Sequence, residues 1–303
     1  MNAHSRPPAG VSRTAVMIAR ARADEQARPD RLFADPLAGV LADAAGDVSD
    51  LDFVRELADT HFVLRTRYFD DFCLAAGAAR CTQVVVLAAG LDTRAYRLPW
   101  PRPTRLFEVD LPALVSFKDR VLAGERVRPA CERVTVPADL RGDWPAALLA
   151  AGFDRTRPTA WLLEGVMMFL SDADNDRLLA RISSLSAPGS RIAIEHFNQE
   201  FRRLPQMNQV HERFRSLDAL ANSWLADPVR WLARNGWYAT VAAPTRLAGE
   251  HGRPVPGITD PELVGPARIW LASAVRPRLA ITLPQKRRLP AIRSVTKLVH
   301  RTY

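Results

Sequence analysis

Three acids stand at or just past the ends of apolar runs in this 303-residue chain: Asp110 after LFEV, Asp139 after VTVPA, and Glu164 after AWLL. A carboxylate carries two acceptor oxygens, so Asp110 can take both hydroxyls of a ribose or cap the helix that follows it. It lies twenty residues past Gly90, close to the offset of ribose-binding acids in dinucleotide folds. Asp139 beside Leu140 offers a polar group and an aliphatic wall, which suits an adenine or an ordinary turn. Glu164 ends an apolar strand, where burial demands a partner: a cationic ligand, or a proton on a raised pKa. The turn Ala88-Ala89-Gly90 lets a ligand approach the backbone closely, although it is not GxGxxG and seats a dinucleotide pyrophosphate poorly. Arg65 and Arg67 flank Thr66. Either guanidinium can grip a carboxylate in two parallel hydrogen bonds or pair with Asp70 or Asp71 at helical spacing.

The elements that hold these residues follow from periodicity. Residues 83–89 form a continuous β-branched run, the pattern of a strand covered on both faces. Further strands are expected over 105–110, 133–137, 159–164 and 191–195, and candidate strands over 237–242 and 269–275. Helices are expected over 16–26, 53–74 with Asp52 as N-cap, 112–122, 144–151, 174–185, 208–226 and 228–235. Residues 248–266, rich in Gly and Pro, read as a surface loop. Alternation of this kind implies an α/β fold with a doubly wound, mostly parallel sheet, whose ligands bind beyond the carboxyl ends of the strands. One domain is expected: a helical cap over about 11–80, a core over about 81–200, a lid with C-terminal strands over about 201–276, and a basic tail over about 277–303.

Composition narrows the function. The chain is 48% hydrophobic and 25% charged, which excludes collagen-like and disordered classes. The net charge of +9 belongs to the end of the chain, since residues 263–303 hold nine Lys or Arg and no acid. Residues 1–262 are balanced at 33 of each sign. QKRRLPAIRSVTKLVHR offers charge without aromatic or groove-reading elements, so a solvated tail is favoured over a nucleic-acid partner. Three cysteines without metal spacing, no secretory leader and no membrane-length apolar run point to the cytoplasm. The six histidines form no metal-ligand cluster, and GxSxG and Walker A motifs are absent.

The segments VVVLAAGLDTRAYRLPWP, LFEVDLP, ADLR and WLLEGVMMFL, in that order, resemble the leucine carboxyl methyltransferase family. More closely, they resemble its bacterial branch of S-adenosyl-L-methionine-dependent O-methyltransferases. SRTAVMIARARADEQARPDRLFADPLA and FVLRTRYFDDF match that branch too, so the likeness spans about residues 11–200. The resemblance implies a Rossmann-like class I methyltransferase fold and S-adenosyl-L-methionine as cofactor. It further implies that Arg65 holds the methionine carboxylate and that the turn from Ala88 to Gly90 packs on the amino-acid portion. Asp110 would bind the ribose, Asp139 and Leu140 the adenine, and Glu164 would lie near the amino group or sulfonium. One departure stands out, since the family usually has Gly-Ala-Gly where this chain has Ala88-Ala89-Gly90.

The expected reaction is O-methylation of a carboxylate, or else a hydroxyl, of a small molecule such as a secondary metabolite. A carboxylate needs no base, whereas a hydroxyl does. His196 and Tyr68 are the nearest base candidates. The cap and residues 201–224 are expected to cover the acceptor, with Met207, Trp224 and Trp231 as pocket candidates. The alternatives are a nucleic-acid-binding protein acting through the basic tail, and a methyltransferase-like protein without activity.

Overall fold

The computed structural model describes residues 12–216 and 222–278, so most of the basic tail lies outside the described residues. Seven strands form one sheet: β1 (Gln83–Leu87), β2 (Arg105–Asp110), β3 (Glu132–Pro137), β4 (Thr159–Leu163), β5 (Arg191–Phe197), β6 (Tyr238–Ala242) and β7 (Ile269–Val275). Their order is β3-β2-β1-β4-β5-β7-β6. The pairs among β1 to β5 are parallel, whereas β7 runs antiparallel to both β5 and β6. Chain order reverses between β1 and β4, which makes their carboxyl ends the ligand crevice of a doubly wound sheet.

The helices, in chain order, are α1 (Ser12–Gln26), α2 (Pro36–Ala45), α3 (Asp52–Ala78), α4 (Arg94–Arg97), α5 (Pro112–Gly124), α6 (Trp144–Ala150) and α7 (Asp172–Ser184). After β5 come α8 (Gln199–Arg202), α9 (Met207–Ser216), α10 (Pro228–Ala233), α11 (Pro244–Glu250) and α12 (Pro261–Val264). No described helix is long and apolar enough to cross a membrane.

All five residues of β1 are buried, because alternate side chains enter different cores. Val85 and Leu87 pack with Trp144 of α6 and with Leu178 and Ile182 of α7. Val84 and Val86 pack with Phe69, Phe72 and Cys73 of α3. Helices α1 and α2 lie above the strand ends. Val16, Ala19, Leu37 and Leu41 meet Leu114 and Phe117 of α5.

Local readings were corrected at three places. Asp52 is the first residue of α3 and not its cap, because the 3-10 turn Ser49–Leu51 runs straight into the helix and buries Leu51. The helix expected over 208–226 is described only to Ser216, and residues 222–227 are irregular. There the backbone bonds to the strand ends instead: Asn222 N–H donates to Met168 O at 2.7 Å and Leu225 N–H to Phe197 O at 2.8 Å. The stretch expected as a surface loop over 248–266 turns inward, since Ile258 and Val264 join an apolar cluster with Met17 and Val54.

Candidate functional site

A cavity of about 440 Å³ opens at the carboxyl ends of β1, β2 and β4 and runs under α1 and α3. Arg65, Ala88, Gly90, Asp110, Asp139, Leu140 and Glu164 all line it. Residues scattered over a hundred positions therefore converge on one hollow.

The turn after β1 forms its floor. Ala88 and Gly90 have φ of 55° and 52°, both left-handed. At Ala88 that conformation is strained by about 1–2 kcal/mol, a cost that a glycine would avoid. At Gly90 the absent side chain also makes room, because a Cβ would stand 3.2 Å from the Ala15 Cβ of α1.

Asp110 ends β2 and locks this turn. Its Oδ2 accepts the Gly90 N–H at 2.6 Å and its Oδ1 the Leu111 N–H at 2.7 Å. It does not cap α5, whose N-cap position is Leu111. Burial pushes the Asp110 carboxyl above its ordinary range, and the two amides pull against that shift. Glu108, two residues earlier on the same strand, pairs with Lys118 and Arg133 at 2.8 and 2.7 Å. Asp139, past β3, accepts its own turn's Arg141 N–H at 2.9 Å and pairs with that guanidinium at 2.7 Å. This bond with Arg141 lowers its pKa.

Glu164 is doubly paired. Arg65 Nε donates to Oε1 at 3.0 Å, and Arg94 Nη2 stands 2.9 Å from Oε2. Arg65 therefore does not pair with Asp70; its Nη1 donates to Glu195 Oε2 at 3.0 Å. Arg67 does pair with Asp71, at 2.9 Å. Gly165 follows Glu164 with φ of 65°, bringing the backbone under the Arg65 guanidinium.

Sequence reasoning missed the residues that hold this array. Glu195, near the end of β5, accepts from both Arg65 and His61, with His61 Nε2 2.9 Å from Oε1. Burial alone would raise the Glu195 pKa, but Arg65 and His61 outweigh it and hold the group near 2. Two signals were present: Glu195 ends its strand as Glu164 ends the one before, and His61 lies four residues before Arg65 on one helix face.

Arg94 is a buried hub, paired with Asp92, with Asp70 at 2.7 Å and with Glu164. Arg97 reaches Asp70 at 2.6 Å. Asp35 pairs with Arg22 at 2.9 Å and accepts from Thr93 at 2.7 Å, while Arg22 Nη2 donates to Leu91 O at 2.6 Å.

The base candidates do not reach the cavity. His196 alternates with Glu195 across β5, so it faces the other way, with Nε2 3.1 Å from Ser223 Oγ. Burial lowers its pKa to about 4. Tyr68 lies where α3 runs under the sheet, packed on the second core cluster, and burial pushes its hydroxyl up to about 12. Of the pocket candidates, Met207 lines the cavity. Trp231 is in the sheet core and donates to Asp176 at 2.7 Å. Trp224 packs behind the wall.

The sheet order, the crevice at the switch point and the helical layer above it define a class I methyltransferase fold. Two solved structures share it: a DUF574 family protein from Streptomyces avermitilis (17% identity, TM-score 0.60, covering 89% of this chain and 98% of that one) and a "putative methyltransferase" from Thermobifida fusca (18%, 0.57, 90% and 97%). The chain belongs to the leucine carboxyl methyltransferase family, whose sequence profile matches residues 15–183. A relative from Parafrankia sp. is 43% identical over 270 residues, covering 84% of this chain and 85% of its own, and is named "Putative S-adenosyl-L-methionine-dependent methyltransferase".

Proposed function

We propose that this chain is an S-adenosyl-L-methionine-dependent O-methyltransferase acting, in the cytoplasm, on an oxygen of a small apolar molecule. One observation carries the reading: the acids Asp110, Asp139 and Glu164 and the guanidinium of Arg65 converge on one cavity at the switch point. The names of the relatives support the same cofactor.

The residues suit that cofactor. Asp110 presents a buried carboxylate to ribose hydroxyls, held by two backbone amides. Leu140 and Asp139 supply an apolar wall and an acceptor for adenine. Arg65 commits Nε and Nη1 to the two acids, which leaves Nη2 for the cofactor's carboxylate. Glu164 places negative charge where an amino group and a sulfonium are to be held. The cofactor supplies a methyl group already activated on sulfur, so the protein need not make an electrophile. What remains for the chain is to align an acceptor oxygen with that methyl and to exclude water. The apolar walls contributed by α1, α3 and α9 serve that purpose, with cap, core and lid working as one domain.

Calorimetric titration of the full chain with S-adenosyl-L-methionine and S-adenosylhomocysteine tests the reading. Saturable binding of both is expected. No heat at millimolar ligand would overturn it.

A further inference from the structure

The cavity's outer half has apolar walls, among them Met17, Phe62, Phe201, Val210, Phe214 and Ile258. His61 also lines it, buried on α3 with Nε2 2.9 Å from the equally buried Glu195. Glu195 is kept ionised between this ring and Arg65, and an ionised carboxylate only accepts hydrogen bonds. Nε2 therefore carries the proton that faces Glu195, which in the neutral form of the ring leaves the lone pair on Nδ1. Among the described residues, the bond to Glu195 is the one hydrogen bond His61 makes.

The cavity's cations bear on the acceptor. Its lining arginines are Arg22, Arg65 and Arg141, and each is already paired, with Asp35, with Glu164 and Glu195, and with Asp139. No lysine is among the described lining residues. A carboxylate entering these walls would lose its water beside Glu195 without an uncommitted arginine or lysine of the described lining to meet it. A neutral hydroxyl carries no such penalty, but it must lose its proton during transfer. An imidazole is matched to an acidic hydroxyl such as a phenol and poorly to an alkanol.

Resting on the methyltransferase reading above, we propose that the acceptor is an apolar phenol, with His61 as its general base and Glu195 as the residue that positions the ring. In the step, the acceptor O–H bond breaks and its proton passes to His61 Nδ1. The oxygen's electron pair forms the O–CH3 bond, while the C–S bond breaks and its pair stays on sulfur as a neutral thioether. His61 returns the proton to water once the methyl ether has left.

The test uses the full chain, wild type and His61→Gln, because the glutamine amide can keep the bond to Glu195 but offers no base. The probes are 2-naphthol, 4-phenylphenol and 4-hexylphenol with their carboxylic acid twins, titrated in saturating S-adenosylhomocysteine and assayed with S-adenosyl-L-methionine. The phenols are expected to bind about tenfold or more tighter than their twins, since about 1.4 kcal/mol of uncompensated desolvation is a factor of ten. They should yield alkali-stable ethers. His61→Gln should cut that turnover by about a hundredfold or more and leave S-adenosylhomocysteine affinity unchanged. Preference for the acids with alkali-labile esters, binding of neither series, or undiminished turnover in His61→Gln overturns the proposal. Failure of the wild type to bind S-adenosylhomocysteine would instead overturn the underlying reading. Should His61→Gln not fold, the ¹⁵N spectrum of the wild-type ring decides: a proton on Nε2 supports the base, and one on Nδ1 overturns it.

Discussion

Arg94→Met removes one charge while keeping much of the side chain's bulk, and it should destabilise the fold. Arg94 is 2% exposed and contacts Asp92, Asp70 and Glu164. Asp70 keeps Arg97 and Glu164 keeps Arg65, so Asp92 is the acid left without a cationic partner, holding only the backbone N–H of position 94 at 2.7 Å. Burial would raise the Asp92 pKa, but Arg94 and more distant cations lower it from 3.8 to about 2. At 1.36 kcal/mol per pKa unit, that depression is worth about 2 kcal/mol. Leaving the acid charged and buried brings the expected loss to about 3–5 kcal/mol. With an unfolding entropy of about 2 cal/mol/K per residue, the melting temperature should fall by about 5–8 °C. The loss has a signature in pH. In the wild type, Asp92 contributes stability above pH 3.8 that disappears as pH falls toward 2. In the variant, only the backbone N–H of position 94 and the more distant Lys118, Arg97 and Arg22 oppose burial, so the Asp92 pKa rises from its wild-type value and the stability it contributes at neutral pH shrinks. The two stability curves, read by urea unfolding at a series of pH values, should stand apart at pH 7, narrow once pH falls below the variant's pKa and meet toward pH 2. A loss under about 1 kcal/mol at pH 7, or a gap that stays constant down to pH 2, would refute the hub's role.

Asp110→Asn should weaken S-adenosylhomocysteine binding by about tenfold to a hundredfold, because a charge-assisted hydrogen bond contributes about 1.5–3 kcal/mol. Wild-type affinity should fall on acidification through the raised pKa of Asp110, since only the ionised form accepts from both amides and the ribose; calorimetry across pH reads both effects. The two left-handed positions of the β1 turn should answer in opposite senses. Gly90→Ala strains the backbone and presses on Ala15, lowering the melting temperature by about 2–3 °C, whereas Ala88→Gly relieves strain and raises it by about 1 °C.

Much of this was legible in the sequence for a specific reason. A parallel sheet covered on both faces leaves continuous β-branched runs, and VVVL, LFEV and IAI have no other economical reading. Acids at the ends of those runs are conspicuous against apolar context, so Asp110 and Glu164 could be singled out. What was not legible is which charges meet. Arg65 had acids at helical spacing, yet it bonds to Glu164 and Glu195, 99 and 130 residues away. Local spacing says who lies on one helix face, not what the sheet brings opposite. His196 and His61 make the same point. One residue's shift along β5 turns His196 from the cavity, while His61, unremarkable in an α-helical run, is delivered to it by α3. The irregular course after Asn222 was hidden for a related reason, because its backbone finds partners on distant strand ends rather than within itself.

The buried charges also explain why the helical layer belongs to the site. Arg22 of α1 holds the carbonyl of Leu91 in the β1 turn, and Asp35, just before α2, holds Thr93 beside it. Ala15 of α1 rests so close to Gly90 that a Cβ there would stand 3.2 Å from its own, a contact the neighbour must yield to relieve. The floor on which a nucleoside would lie is thus shaped from above as well as from the sheet. Arg65 then joins two strand ends, one nitrogen on Glu164 past β4 and another on Glu195 of β5. Because one rigid guanidinium serves both acids, neither can move without the other's geometry changing. The array proposed to hold the methyl donor is thus the same array that bonds His61 Nε2.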